Sequence, residues 1–221
     1  MYKMVHMGRV RLLNVLAEAT LIVFSILLAL YTNHWREERT ANQRLDTAIA
    51  GIRLELLQNQ AILQNILPYH QAEVDRLHRF LSRPDLARQV KGKDLFEVLK
   101  HSDDLKFRGI WNPQVSPSDL SDTAWESAIV SGVLPRMRPE LLKALTSYYS
   151  SQGTGVLSTL HTLNQIYLAP PPYDPSQTIT MLRTLQGTFS ELADQEQSLS
   201  KLIQQTLQVT PNNSQSSRKV N

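Results

Sequence analysis

Residues suited to chemistry are sparse in this chain. The six histidines are His6, His34, His70, His78, His101 and His161. None forms His-Glu-x-x-His or another close spacing that turns two imidazoles toward one metal ion. His70 and His78 stand about two helical turns apart with Asp75 between them, and read as surface histidines. Ser198-Leu-Ser-Lys201 matches Ser-x-x-Lys, in which a lysine neighbours a nucleophilic serine. It lies on a polar helix with no Ser-Asp-Asn or Lys-Thr-Gly downstream, so the match is set aside. Gly153-Thr-Gly155 lacks the lysine and strand context of a phosphate loop, and no Gly-x-Ser-x-Gly is present. With no cysteine, thiolate metal ligands and disulfides are excluded. The sequence predicts neither an enzyme nor a cofactor or metal protein.

One ionisable residue stands out by its setting. Glu18 lies within Leu12–Tyr31, LLNVLAEATLIVFSILLALY, about the twenty mostly apolar residues that a helix needs to cross a bilayer. Arg9 and Arg11 precede the run, and Trp35, Arg36, Glu37, Glu38 and Arg39 follow it. Basic flanks and an interfacial tryptophan mark a membrane anchor, with Trp35 and Arg36 as the juxtamembrane anchor. The run ends Ala29-Leu30-Tyr31-Thr32-Asn33 without a small-x-small cleavage pattern, so the expectation is an uncleaved anchor. Glu18 stands about 10 Å along the axis from Arg11, where an acid in hydrocarbon is costly and raises a functional hypothesis. Arg11, Asn14, Glu18, Ser25, Ala29 and Thr32 recur by threes, fours and sevens and share one stripe. Ser25-x-x-x-Ala29 is a small-xxx-small pair of the kind used at helix seams in lipid. The stripe predicts a helix–helix interface with Glu18 protonated or hydrogen-bonded across it. Two other readings of Glu18 stay open: a proton-responsive carboxylate in an ion-coupled complex, or a headgroup-level acid that reaches water.

Bulk composition fits an anchored polar domain. Hydrophobic residues make up 42% of the 221, and the mean hydropathy is −0.27, so the apolar excess is local. A net charge of +3 is too small to argue for nucleic acid. Lys3, Arg9, Arg11 and the terminal amine on one side face Arg36, Arg39 and Arg44 on the other. The count leans toward the N-terminus inside and the C-terminal domain outside the cytoplasm.

Beyond the anchor the pattern is helical. Leu45, Ile49, Ile52, Leu56, Leu63 and Ile66 keep heptad spacing, with Asn59 at the vacant seam position. No breaker separates this stretch from the anchor helix, and Pro68 is expected to end or kink it. Val74, Leu77, Phe80 and Leu81 give a second short helix, and Lys93–Lys100 another. The cluster Arg76, Arg79, Arg83, Arg88, Lys91 and Lys93 reads as a solvated face. Phe107–Pro117 is expected to be irregular. In Ser121–Leu134, Ser121 or Asp122 can cap, Thr123-x-x-Glu126 suits a capping box, and Gly132 suits a C-terminal stop. Trp125, Ala128 and Ile129 would form its apolar face, with Trp125 the core anchor. Pro139 opens a helix carrying Leu141, Leu142, Leu145, Tyr148 and Tyr149, and Gly153 and Gly155 should break or loosen it. Ala169–Tyr173 reads as a polyproline-like connector. A last helix, 176–209, carries Ile179, Leu182, Leu185, Phe189, Leu192, Leu199, Leu202 and Ile203, and a polar tail follows.

Two stretches carry a resemblance. Ala17-Glu18-Ala-Thr-Leu-Ile-Val through Leu30, then Asn33-His-Trp35-Arg-Glu-Glu-Arg39, resembles a family of uncharacterised bacterial membrane proteins that bear a domain of unknown function. Its members begin with Gly-Glu, an apolar run, Ala-Leu-x-x-Asn-x-Trp-x-Glu; this chain has Ala17 in place of the glycine. Thr123-Ala-Trp125, Ser131-Gly132 and Tyr148-Tyr149 resemble a second segment of that family. The resemblance implies a single-pass anchor with a helical domain in a bacterial inner membrane, and carries no activity. The expected organisation is all-α: a basic lead over 1–11, a transmembrane helix over 12–32, a Pro-punctuated helical bundle over 33–209 and a disordered tail over 210–221. The expected function is a non-catalytic interaction or scaffold protein in the bilayer, a homo-oligomer or partner of another membrane protein, docking along Asn14, Glu18, Ser25, Ala29 and Thr32 and along the Leu45–Ile66 seam. The alternative is an accessory subunit of an ion- or proton-coupled complex that uses Glu18.

Overall fold

In the computed structural model, residues 3–93, 95–101, 119–168 and 175–210 are described, with side chains from residue 18 onward except at a few positions. The expectations for 107–117, 169–173 and 211–221, and for the side chain of Asn14, lie outside those residues. Among the described residues the secondary structure is helical throughout. In chain order the helices are α1 (Lys3–Leu81), α2 (Pro84–Val90), α3 (Leu95–His101), α4 (Thr123–Val130), α5 (Pro139–Ser151), α6 (Ser158–Leu168) and α7 (Thr178–Val209). Short 3-10 turns occupy Leu134–Arg136 and Pro175–Gln177, and a π-helical stretch, Gln152–Leu157, joins α5 to α6. The chain divides into two compact units, Met1–Thr47 and Ala48–Asn221.

In the second unit the core follows two heptad seams. On α1, Ile52, Leu56, Asn59, Leu63, Ile66, His70, Glu73, Leu77 and Phe80 are buried, alternating by four and three residues. On α7 the matching set is Thr178, Leu182, Leu185, Phe189, Leu192, Glu196, Leu199, Ile203 and Thr206. Polar contacts set the direction of the pair: Arg53 reaches Leu207, Gln60 reaches Ser200, His70 reaches Glu196 and His78 reaches Gln186. Numbers rise on one helix as they fall on the other, so the two are antiparallel. Each fully buried Leu, Ile or Phe contributes about 1.5–3 kcal/mol of transfer free energy.

Pro68 does not end α1, which runs through it to Leu81. An interior proline costs about 3 kcal/mol through a lost hydrogen bond and a clash one turn back. Pro68 and Gln64 are both exposed, so water can serve the carbonyl that the proline leaves without a donor. The buried positions His70, Glu73, Leu77 and Phe80 on the far side supply the packing that carries the helix through.

The glycines at 153 and 155 do not break α5 from α6 either. The wider π turn takes up one extra residue, so buried positions run Tyr148, Gln152, Val156, Leu160, Leu163 with an additional step of four. Gly155 faces α7, where a Cβ would meet Gln195 Cδ at 3.8 Å. Pro139 opens α5 as expected, and Gly132 ends α4 with φ +69°. The last turn of α7 is closed by two arginines from elsewhere in the fold. Arg53 donates to the carbonyls of Leu207 and Thr210, at 3.4 and 3.3 Å, and Arg138 donates to that of Val209 at 2.6 Å. Cations at a helix C-terminus also oppose its dipole.

Candidate functional site

The first unit presents the residues expected to meet a partner. Glu18, Ser25, Ala29 and Thr32 are exposed on α1. The Ser25 hydroxyl donates to the Leu21 carbonyl at 2.8 Å and Thr32 to that of Ala29 at 2.9 Å, so both satisfy their polarity within the helix. Around them Leu21, Ile22, Val23, Phe24, Ile26, Leu27, Leu28, Leu30 and Tyr31 are 51–69% exposed. Four of these are consecutive, so every side of the helix is apolar. Below the run, Asn33 donates to Glu37 at 2.7 Å and the Arg39 guanidinium lies 5.5 Å from the Trp35 ring centre. Trp35 is exposed beside Arg36.

Among the described residues no helix is long and apolar enough to cross a membrane. The expected span belongs to them only in part, since its side chains at 12–17 lie outside. Residues 18–32 alone rise about 22 Å, short of the roughly 30 Å hydrocarbon core.

The second unit has a polar centre on the α1 seam. Glu55, buried, accepts from the Tyr149 hydroxyl at 2.6 Å on one oxygen. Its other oxygen accepts from the Ser121 hydroxyl and the Ala124 backbone N–H, both at 2.8 Å. The carboxylate thus caps α4 from another helix, at the positive end of its dipole. No capping box forms: Asp122 is the cap residue and makes no side-chain cap bond. Asn59 donates to the Ser121 carbonyl at 2.7 Å and to the Tyr148 hydroxyl at 2.9 Å, and accepts from the Ser121 N–H at 2.9 Å. Gln152 adds bonds to the carbonyls of Leu120 and Ser121. Burial pushes both tyrosine phenols well above their usual range, and the Glu55 carboxylate pushes Tyr149 further. They therefore act as neutral hydroxyls.

Trp125 is half-buried rather than a fully buried anchor, and stacks on Tyr149 with ring centres 5.1 Å apart. Of its expected face only Ala128 is buried; Ile129 is exposed. Tyr148 and Leu145 are the fully buried side chains there.

His70 corrects the reading of a surface histidine, which fits His78 alone. Its Nδ1 lies 2.9 and 3.0 Å from the two Glu196 carboxylate oxygens, with both side chains fully buried. Burial raises the Glu196 pKa, while His70 opposes that shift. The signal that would have found the pair is the heptad count itself, continued past Pro68 on α1 and through Leu192 and Leu199 on α7.

No group of acidic or histidine side chains among the described residues is placed to hold a metal ion. Ser198 lines a groove of about 680 Å³ between the π turn and α7, with Ser151, Thr154, Glu191, Asp194 and Gln195. No histidine or lysine lines it; Lys201 is exposed one turn further along α7. The seam Leu56, Leu63 and Ile66, expected to extend a docking face, is buried within the chain's own bundle. No family model matches the chain, and no curated protein or solved structure is similar to it.

Proposed function

We propose that the chain is a membrane-anchored, non-catalytic interaction protein whose anchor is the apolar run of α1. The observation that carries this reading is the exposure of Leu21–Tyr31 on every side of the helix. In water, several uncovered Leu, Ile and Phe side chains would each forgo about 1.5–3 kcal/mol of burial. A helix apolar all round calls for an apolar surrounding, and lipid is the one that basic flanks and Trp35 suit. The resemblance of residues 17–39 to bacterial single-pass membrane proteins supports the same reading, and the count of Lys and Arg on either side of the run places the C-terminal domain outside the cytoplasm in this proposal. Docking to a second transmembrane helix uses the stripe Asn14, Glu18, Ser25, Ala29 and Thr32, where small residues let backbones approach and Glu18 hydrogen-bonds across.

Single cysteines test the stripe in a chain that has none of its own. In native membranes, Ser25→Cys and Ala29→Cys should crosslink to a second copy, and Val23→Cys and Leu27→Cys, both exposed on the opposite side, should not. Equal crosslinking on both faces, or none, would remove self-association along this stripe.

A further inference from the structure

The inward face of α1 is occupied, and its outward face has a seam of its own. Leu54, Leu57, Ala61, Gln64, Pro68 and Gln71 are all exposed and alternate by three and four residues, the spacing of coiled-coil contact positions. Leu54 and Leu57 are 58% and 46% exposed. Between Leu54 and Gln71 no exposed residue carries a charge; Glu55 and His70, the acid and the histidine of that stretch, are both buried. The outward face of α7, by contrast, exposes Arg183, Glu191, Asp194 and Lys201, as a solvated helix ordinarily does. Loss of charge over about five turns, with leucines at contact positions, is the composition of an interface centre.

We infer that a second copy of this chain packs against this face, α1 beside α1 and parallel. A two-fold contact sets each residue near its own counterpart, so a charged stripe repels itself and an uncharged one does not. Leu54, Leu57 and Ala61 would meet their own copies across the axis. Pro68 gives no N–H to the Gln64 carbonyl, and the glutamine amides of the facing stripe are donors for it. The direction rests on the proposed anchoring, since two copies held in one bilayer run parallel. Five turns of one helix face bury less than the roughly 800 Å² per partner of a stable complex. The contact is therefore weak in solution and formed in the membrane, where tethering raises the effective concentration toward millimolar.

The full-length chain in membranes tests this. Leu57→Cys and Ala61→Cys should crosslink about tenfold more than Gln204→Cys on the exposed face of α7. Ala61→Glu, added to Leu57→Cys, sets two carboxylates across the axis and should lower crosslinking roughly tenfold, about 1.4 kcal/mol. Mixing it with Ala61→Lys should restore the dimer. Equal crosslinking at 57, 61 and 204, or no effect of Ala61→Glu, would overturn the inference. Crosslinking through Ser25→Cys with none at 57 or 61 would overturn it while leaving the transmembrane contact in place. Silence at all three would overturn both.

Discussion

Removing one hydroxyl at a time separates burial from hydrogen bonding in the polar centre. Tyr148 is fully buried and Tyr149 is 8% exposed, so burial alone ranks Tyr148 as the more sensitive position. The bonds rank them the other way. Tyr148→Phe deprives Asn59 of one acceptor, yet the same amide keeps the Ser121 carbonyl at 2.7 Å. That loss is a neutral hydrogen bond, worth about 0.5–1.5 kcal/mol. Tyr149→Phe takes the 2.6 Å donor from a buried Glu55 carboxyl oxygen, and a hydrogen bond to a carboxylate is worth about 1.5–3 kcal/mol. Both rings stay, so the stack on Trp125 and the contact between the tyrosines persist. Tyr149→Phe should therefore cost about 1 kcal/mol more than Tyr148→Phe. Urea unfolding in detergent, followed by far-ultraviolet circular dichroism, measures both from midpoint and slope. A Tyr148→Phe cost equal to or above that of Tyr149→Phe would refute the assignment of Glu55 as the centre of the network.

Other perturbations follow from the same geometry. Glu196 has a folded pKa above its ordinary 4.5 through burial, so its contribution to stability is full below that value and lost as pH rises through the raised one. Glu196→Gln should flatten the fall in urea midpoint as pH rises above about 4.5; an unchanged slope would count against the assignment. Pro68→Ala restores a helical N–H on an exposed face and should stabilise the second unit by about 2–3 kcal/mol, and an unaltered or lower thermal midpoint would contradict it. Arg138→Ala frees the Val209 carbonyl and should cost about 1 kcal/mol, read as faster amide exchange over the last turn of α7. Glu18→Gln keeps hydrogen-bonding capacity, so Ser25→Cys crosslinking should survive it, whereas Glu18→Leu should weaken it; the reverse order would remove Glu18 from the contact.

Periodicity made much of the bundle legible. Ile52, Leu56, Asn59, Leu63 and Ile66 announce a seam, and Asn59 does fill the polar position within it. At Pro68 local propensity argues for a stop, whereas the packing of four further buried positions, His70, Glu73, Leu77 and Phe80, outweighs one proline. His70 and Glu196 become legible once the count is carried through: both fall at seam positions, and both are buried. The cap on α4 could not be read locally, because its acceptor, Glu55, lies 69 residues away. Size alone argues for Trp125 as a core anchor, but its ring stacks on Tyr149 and stays half-buried. The stripe at Glu18, Ser25 and Ala29 is legible as a pattern, and all three residues are exposed on α1.

The central claim is attachment to the bilayer through α1. Washing membranes with alkaline carbonate and blotting pellet and supernatant tests it directly. The account predicts that the full-length chain stays in the pellet and that deletion of residues 1–32 moves it to the supernatant. A full-length chain released by carbonate, or a truncated one that remains in the pellet, would contradict anchoring by this helix.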